Sequence, residues 1–323
     1  MADELERWAA ARAPELLARA EAEAVARLRD MLIAAALPRA QTAPAPRPPA
    51  APPPEGYALW VYCVLRADGA SAPDGPGVAA GRLELVEAGE LAALVSRVPL
   101  AEFGEEPLRR NLNELPWLER VARAHEAVLD RALAGATIAP LRLCTIYADA
   151  DRVRTMLESG RASFLEVLDG LEGRQEWGVK LLLDPARVVA EARRSLPGAE
   201  AEEAAVAERG EGAGYMLRRR LERKVADAAD ALAADVAQQV HARVQDWAVD
   251  AVTRPPQNRE LSGHEGDMAL NAAYLVEADR VAGLRELVAE LEAHHRAVGA
   301  TIELTGPWPP YNFVPHGGAE ALA

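Results

Sequence analysis

The sequence predicts an α+β protein of two domains, the second a modified ferredoxin-like fold, preceded by an N-terminal helix and a Pro/Ala-rich spacer. Three observations support this prediction. The 323-residue chain is long enough for two separate cores. Apolar strand patterns alternate with amphipathic helical patterns, and the composition changes abruptly near residue 38. The predicted segments are an N-terminal helix at 1–37, a linker at 38–55, an α+β domain at 56–173, a ferredoxin-like domain at 174–316 and a tail at 317–323.

The first two segments differ sharply in composition. Residues 3–37 are rich in Ala, Glu, Arg and Leu, and Leu17, Leu28 and Met31 recur at helical spacing. Residues 38–54 are almost entirely Pro and Ala. Because proline lacks an amide donor and favours an extended polyproline II form, we expect a semi-rigid spacer there.

The first domain opens with the apolar strand 57–65. Strict alternation would put Leu59, Val61, Cys63 and Leu65 on one face, and Trp60, Tyr62 and Val64 on the other. Apolar residues on both faces predict a central strand that is covered on both sides. The further predicted elements of this domain are strands at 83–87, 91–98 and 141–147 and helices at 117–133, 149–158 and 161–171.

The second domain reads as strand, helices, strand, helix and strand, an order that suggests the modified ferredoxin-like fold. Asp184 and Pro185 have the residue types preferred at the N-cap and first turn of a helix. The three prolines that follow Thr305 predict that the chain leaves the sheet there. The predicted elements are strands at 176–183, 268–276 and 301–305, a loop at 200–214 and long helices at 215–252 and 279–298.

The bulk composition argues against several classes of protein. A net charge of -14 is unlike the basic surface of a nucleic-acid binder and opposes adhesion to anionic membranes. No stretch reaches the roughly 18 to 20 apolar residues of a membrane span, and no signal-peptide pattern follows the acidic start. The two cysteines, Cys63 and Cys144, lie in apolar runs and are interpreted as reduced, buried thiols. We therefore expect a cytoplasmic protein.

The sequence offers no strong catalytic, cofactor or metal site. Residues 210–214 are Gly-rich but lack the lysine of a phosphate-binding loop, and no metal-binding histidine spacing occurs. His125 and His295 lie on apolar helical stripes and are interpreted as core histidines. Residues 262–267 contain Ser262, His264 and Glu265, which we interpret as a polar loop; a catalytic role is the weaker alternative.

Three groups of residues remain as candidate sites. Arg142 and Lys180 lie in apolar strand patterns, where each marks either an exposed strand face or an internal ion pair, with Glu176 as the obvious partner. The other two groups are candidates for partner binding. A basic stretch contains Arg218, Arg219 and Arg220, and it is either a solvated helix face or a docking site. The closing segment, residues 306–313, contains Trp308, Tyr311 and Phe313, which either pack on the protein itself or anchor a partner.

Four segments carry a family resemblance, the last being the most specific. They are Pro140-Leu-Arg-Leu-Cys-Thr-Ile-Tyr147, Leu171-Glu-Gly-Arg-Gln-Glu-Trp-Gly-Val-Lys180, Asn271-Ala-Ala-Tyr-Leu-Val276 and Leu304-Thr-Gly-Pro-Trp-Pro-Pro-Tyr-Asn-Phe313. Together, and in this order, they resemble the gas vesicle protein GvpF/GvpL family. The N-terminal helix and the Pro/Ala spacer depart from the usual family pattern.

The resemblance implies two α+β domains, no enzymatic activity and no cofactor. It also implies an accessory role in building gas vesicles, the hollow protein shells that give microbes buoyancy. The implied partners are the hydrophobic shell protein GvpA and other gas vesicle accessory proteins, with no nucleic acid and no membrane. The leading hypothesis is a chaperone-like assembly factor that supports nucleation or growth of the shell. The alternative is a minor structural component retained in the vesicle, and the sequence leaves the oligomeric state open.

Overall fold

The computed structural model of the chain describes residues 56–207, 211–255 and 266–314. The predicted N-terminal helix, the Pro/Ala spacer, the tail and most of the 262–267 loop lie outside these ranges. The described residues divide into two compact units. The first comprises residues 56–173 and 309–314, and the second comprises residues 174–308. The sequence alone groups 309–314 with the second domain, whereas the structure groups them with the first unit.

The first unit is built on one antiparallel sheet with the order β2-β3-β1-β4, in which β5 also pairs with β1. Short 3-10 turns lie at Val78–Ala80 and Tyr311–Phe313. The strands and helices are β1 (Tyr57–Arg66), β2 (Leu83–Ala88), β3 (Leu91–Pro99), α1 (Leu100–Phe103), α2 (Glu105–Asn111), α3 (Leu115–Leu133), β4 (Ile138–Pro140), β5 (Ile146–Tyr147), α4 (Ala150–Ser159) and α5 (Arg161–Leu171).

β1 is the central strand, as predicted, but its alternation is not regular. The pairing with β3 shifts between Val61 and Cys63, which marks a β-bulge. Because a one-residue insertion reverses the face of every later side chain, Cys63 and Leu65 join Trp60 and Tyr62 in one core cluster. The prediction that Cys63 lies on the face opposite Tyr62 is therefore wrong.

Helix α3 covers that core. Its buried residues recur at helical spacing, as the sequence predicts, and Pro116 lies in the first turn. Each fully buried large apolar side chain stabilises the fold by about 1.5 to 3 kcal/mol. The buried residues of α3 are Trp117, Leu118, Val121, His125, Val128, Leu129 and Ala132.

The prediction of a strand at 141–147 is mostly wrong: β4 ends before it at Pro140, most of it is a turn, and only Ile146 and Tyr147 form a strand, β5. β4 and β5 pair with different parts of β1, and Cys144 between them has a left-handed φ of 66°. The turn is closed on the Arg142 carbonyl, which accepts from the Thr145 amide at 3.2 Å and from the Thr145 hydroxyl at 2.7 Å. Beside the turn the segment keeps two backbone hydrogen bonds to β1, from the Leu141 amide to the Tyr62 carbonyl at 2.8 Å and from the Val61 amide to the Thr145 carbonyl at 2.9 Å.

The second unit is built on one antiparallel sheet with the order β7-β8-β6-β9. Its core lies between this sheet and the helices α6, α8 and α9. Short 3-10 turns lie at Ala278–Arg280 and Arg296–Val298. The strands and helices are β6 (Arg174–Leu183), α6 (Pro185–Ser195), α7 (Ala199–Ala207), α8 (Glu211–Gln245), β7 (Asp250–Thr253), β8 (Asp267–Glu277), α9 (Val281–His294) and β9 (Thr301–Trp308).

The start of α6 confirms the predicted cap. The Asp184 carboxylate accepts from the amides of Ala186 at 2.9 Å and Arg187 at 3.2 Å, and Pro185 lies in the first turn. This cap satisfies two of the backbone amides that a helix start leaves unpaired.

Two neighbouring predictions are wrong. Most of the expected loop at 200–214 is helical, because its Ala and Glu residues are strong helix formers. The long helix ends at Gln245, seven residues earlier than predicted, and the missed strand β7 follows it. β7 forms because its backbone pairs with β8. The two strands are separated in sequence, so local sequence patterns do not predict this pairing.

The chain also stays in the sheet for longer than predicted at the end of β9. Thr305 pairs with Gly178 and Trp308 pairs with Glu176, so Gly306 and Pro307 together lie opposite Trp177. β9 is an edge strand with a bulge at this point. Since a bulge on an edge strand leaves amide positions without a ladder partner, proline is tolerated there.

Candidate partner-binding surfaces

The closing segment meets α3 through a chain of hydrogen bonds that starts in the core and ends at the exposed Glu126. The Trp60 indole N–H donates to His125 Nδ1 at 2.9 Å, and His125 Nε2 lies 3.0 Å from the Tyr311 hydroxyl. That hydroxyl donates to Glu126 Oε1 at 3.2 Å. The three donors follow one another from β1 through α3 to residue 311, so Tyr311 is held by the first unit.

The direction of this chain defines the protonation of His125. Because Nδ1 accepts from Trp60, a neutral ring carries its proton on Nε2, which donates to Tyr311. Burial lowers the pKa of His125 to about 4, so the neutral form prevails at neutral pH. Burial, reinforced by the Glu126 carboxylate, raises the pKa of Tyr311. Burial also raises the pKa of Glu126, against the opposing effect of the Tyr311 hydrogen bond.

A second polar pair extends this arrangement towards β3. The Tyr62 ring stacks on His125 with centroids 5.3 Å apart, and its hydroxyl lies 2.7 Å from Ser96 Oγ. The Val78 amide donates to the same hydroxyl at 2.7 Å. His125 is fully buried and both ring nitrogens are engaged, so the imidazole is not placed to act on a substrate. The arrangement is structural, and its contacts favour packing as the role of Tyr311.

The other two aromatic residues of the closing segment lie in different settings. Trp308 ends β9 in the second unit, is 47% exposed, and donates to Thr305 Oγ1 at 3.2 Å. Phe313 lies half-buried in the 3-10 turn of the first unit. The three aromatics therefore do not belong to one unit, and only Trp308 presents a largely exposed ring.

The start of α8 presents an exposed surface of mixed character. Tyr215 is 55% and Met216 69% exposed, and Arg219 lies over the Tyr215 ring at 5.9 Å from its centroid. Arg218, Arg219 and Arg220 are all exposed, as is Arg223. We call the surface formed by Tyr215, Met216, Arg219, Arg220 and Arg223 the α8 face. Sequence reasoning found the arginines but missed the two apolar residues, because their exposure depends on which side of α8 packs.

The candidate ion-pair residues lie on both units. Arg142 is half-buried in the turn of the first unit, whereas Glu176 is buried and Lys180 half-buried on β6 of the second. Glu176 and Lys180 point to the same side of one strand at a separation of four residues, about 13 Å. The register instead places Glu303 of β9 directly opposite Lys180, an arrangement of opposite charges that favours pairing across strands.

The described residues contain no group of three His, Cys, Asp or Glu side chains that could hold a metal ion. Cys63 and Cys144 are free thiols, and burial raises the pKa of Cys144 to about 12. His295 is buried directly after the last residue of α9, and its pKa is lowered by burial and by neighbouring His294. Of the 262–267 loop, Ser262, His264 and Glu265 lie outside the described ranges.

The first unit also has a cavity of about 370 Å³. Two arginines line it, but both have partners: Arg66 pairs with Asp169, and Arg131 donates to the Pro76 carbonyl at 2.7 Å. Asp68 and Glu172 also line the cavity, and their charges oppose an anionic ligand. Arg131 Nε is buried without a hydrogen-bond partner, but one donor beside two carboxylates is not the converging set of donors that a phosphate site requires.

Within the ranges that the structure describes, every helix is too short or too polar to cross a lipid bilayer.

Comparisons with known proteins match most of the chain to gas vesicle proteins. A family model described as gas vesicle synthesis protein GvpL/GvpF matches residues 58–315. Gas vesicle protein L of Streptomyces sp. (strain CB03234) is 36% identical over 255 residues, covering 79% of this chain and 91% of that protein. Gas vesicle protein F of the same strain is 30% identical over 260 residues, covering 79% and 98%. The crystal structure of GvpF from Anabaena sp. PCC7120 has a TM-score of 0.62 at 18% identity, covering 80% of this chain and 98% of that one.

Proposed function

Because the chain belongs to the GvpL/GvpF family of gas vesicle synthesis proteins, we propose that it is an accessory protein of gas vesicle assembly. It binds the hydrophobic shell protein GvpA and supports nucleation or growth of the shell. The family is one of gas vesicle proteins and not of enzymes.

The observation that carries the proposal is the family match over residues 58–315, which reaches every strand of both units and omits only the first residue of β1. A relative that shared only one unit would support a shared fold but not a shared role. The charge of the chain adds a physical reason. A shell protein with large apolar surfaces associates without specificity before assembly. A carrier with a net charge of -14 resists such association itself, so it can hold those subunits apart.

The test is co-expression of the tagged full chain with the shell protein, followed by pull-down and by vesicle counts in a deletion strain. We expect the shell protein to co-purify, and the deletion to reduce vesicle number in a way that the full chain restores. No co-purification together with normal vesicle numbers in the deletion strain would overturn the proposal.

The role as a minor structural component is distinguished by the fate of the protein after assembly. Purified vesicles washed with about 1 M salt should lose a transient assembly factor, since salt screens the charged contacts. Retention at a constant ratio to the shell protein would favour the structural role. The same fractionation tests localisation, which we expect to be cytoplasmic with association to vesicles during assembly.

For the fold of the second unit, we retain the modified ferredoxin-like interpretation. Its support is the order β6, helices, β7, β8, α9, β9 together with the antiparallel strand order β7-β8-β6-β9. The modification is the added helices α6 and α7 ahead of the long helix α8. A crystal structure of the second unit that lacked this strand order would contradict the interpretation.

A further inference from the structure

We propose that the α8 face is the surface that holds the shell protein, through a segment of that protein that carries carboxylates beside apolar side chains. This inference rests on the proposed function and adds the surface and the chemistry of the contact. It is carried by the geometry, the charge and the composition of residues 215–223.

The geometry gathers these side chains on one side of the helix. At about 100° per residue, Tyr215, Met216, Arg219, Arg220 and Arg223 fall within roughly 140° of arc. On the other side, Leu221 and Val225 are buried in a cluster with Ala199 and Leu196. Leu221 and Val225 thus pack the start of α8 against the protein. The opposite, exposed side of the helix presents two large apolar side chains among three guanidinium groups.

Contacts with α7 hold this part of the helix in place. Lys224 pairs with Glu202, and Arg193 at the end of α6 pairs with Glu203 of α7 at 2.6 Å. Lys224 is therefore already neutralised by the protein. Among the described residues, Arg219, Arg220 and Arg223 form no ion pair, and all three side chains are exposed.

The sign of the charge changes along α8. The α8 face itself has three arginines, and the exposed carboxylate of Glu222 lies at its edge, about 20° beyond Tyr215 around the helix. Asp227, Asp230 and Asp235 are exposed further along the same helix. An ordinary solvated helix face interleaves both signs. A concentrated positive surface on a chain with a net charge of -14 is complementary to a partner that carries carboxylates.

The residue types also point to a protein partner. Tyr, Met and Arg are enriched in the cores of protein interfaces, whereas Lys, Glu and Asp are depleted there. Arg219 and Tyr215, already in contact, can bury an apolar side chain of the partner while the guanidinium group meets its carboxylate. Nucleic acid and anionic lipid fit less well, because each presents an extended negative surface that would also face Asp227 and Asp230, whereas a short protein segment can place its few carboxylates against the arginines alone.

The test uses the full chain co-expressed with the shell protein. The variant Arg219→Glu/Arg220→Glu/Arg223→Glu should recover at least about tenfold less shell protein, because three contacts become repulsive. A second variant, Tyr215→Ser/Met216→Ser, keeps the charges and should also reduce recovery severalfold. The matched control is Arg82→Glu/Arg97→Glu/Arg110→Glu, which makes the same change in net charge at three exposed positions of the first unit and should bind normally. Far-UV circular dichroism and thermal unfolding check that each variant is folded.

Photocrosslinking identifies the contact itself. The full chain with Met216→p-benzoylphenylalanine is irradiated with the shell protein, and the crosslinked peptide is sequenced by mass spectrometry. A shell-protein peptide with Asp or Glu beside apolar residues supports the inference, and one without a carboxylate overturns it.

The remaining outcomes are equally decisive. Wild-type recovery by a folded triple variant would overturn the inference and leave the proposed function intact, whereas failure of the wild-type chain to bind the shell protein would remove the proposed function first. Binding of the chain to vesicles of phosphatidylglycerol and phosphatidylcholine, lost in the triple variant, would reassign the α8 face to anionic lipid.

Discussion

Acid should destabilise the first unit through His125. The folded-state pKa of about 4 lies below the ordinary value of 6.5, so the unfolded chain takes up the proton first as pH falls. The stabilisation from keeping this ring neutral is therefore complete above about pH 6.5 and is lost as pH falls towards 4. At 1.36 kcal/mol per unit, the total is roughly 3 kcal/mol, of which about 2 kcal/mol is lost between pH 7 and 5.

The perturbation that isolates this effect is His125→Gln. Glutamine can accept from the Trp60 indole and donate to Tyr311, but it does not titrate. The nearby groups that titrate or carry charge are the same in the wild type and the variant. They are Glu126, Asp130, Arg131, Tyr62 and Tyr311. The difference between the wild-type and variant pH profiles therefore reports His125.

The assay uses the placement of the thiols. Both cysteines of the chain lie in the first unit, Cys63 on β1 and Cys144 in the turn between β4 and β5. Labelling by 4,4′-dithiodipyridine, which reacts at acidic pH, against urea concentration thus reports unfolding of that unit. With a slope of about 1 to 3 kcal/mol per M, the wild-type midpoint should fall by roughly 1 M more than the variant midpoint between pH 7 and 5. Parallel shifts of the two midpoints would refute the reasoning.

Three further substitutions separate packing from binding. Tyr311→Phe should destabilise the first unit by about 1 to 3 kcal/mol, because the His125 Nε2–H is left buried without an acceptor; an unchanged labelling midpoint in urea would contradict this. Gly299→Ala should lower the thermal midpoint of the second unit, since Gly299 has a φ of 65° and an added Cβ would lie 2.6 Å from Asp184 Cβ; a variant as stable as the wild type in calorimetry would show that the site relaxes. Trp308→Ala should cost at most about 1 kcal/mol, because the ring is 47% exposed. Loss of shell-protein recovery by that variant, at unchanged stability, would instead identify Trp308 as a partner contact.

The features that the sequence predicts well are those that depend on neighbours in the chain. The buried stripe of α3 follows from helical spacing, and the start of α6 follows from the capping chemistry of Asp184 and Pro185. The buried setting of His125 follows from its place on that stripe.

The features that were missed depend on partners distant in sequence. The bulge in β1 is set by its register with β3, and β7 exists only because β8 pairs with it. His125 meets Tyr311, a residue 186 positions away, which no local pattern reports. Tyr215 and Met216 look like core residues by type, and only the packing of α7 against Leu221 and Val225 leaves them exposed.

The second unit is inserted into the first, and this has an energetic consequence. The chain leaves the first unit after Gly173 and returns at Pro309, and the register of β6 with β9 sets Glu176 opposite Trp308. While the second unit is folded, the start of β6 and the end of β9 therefore lie side by side. The folded unit then connects residue 173 to residue 309 over a short distance. If the second unit unfolds, Tyr311 must find His125 across about 135 flexible residues. The entropy of closing a loop grows with the logarithm of its length, so bringing Tyr311 to His125 costs roughly 3 kcal/mol more when the second unit is unfolded than when it is folded. Folding of the second unit therefore raises the effective concentration of Tyr311 at His125. Chain connectivity therefore couples the folding of the two units.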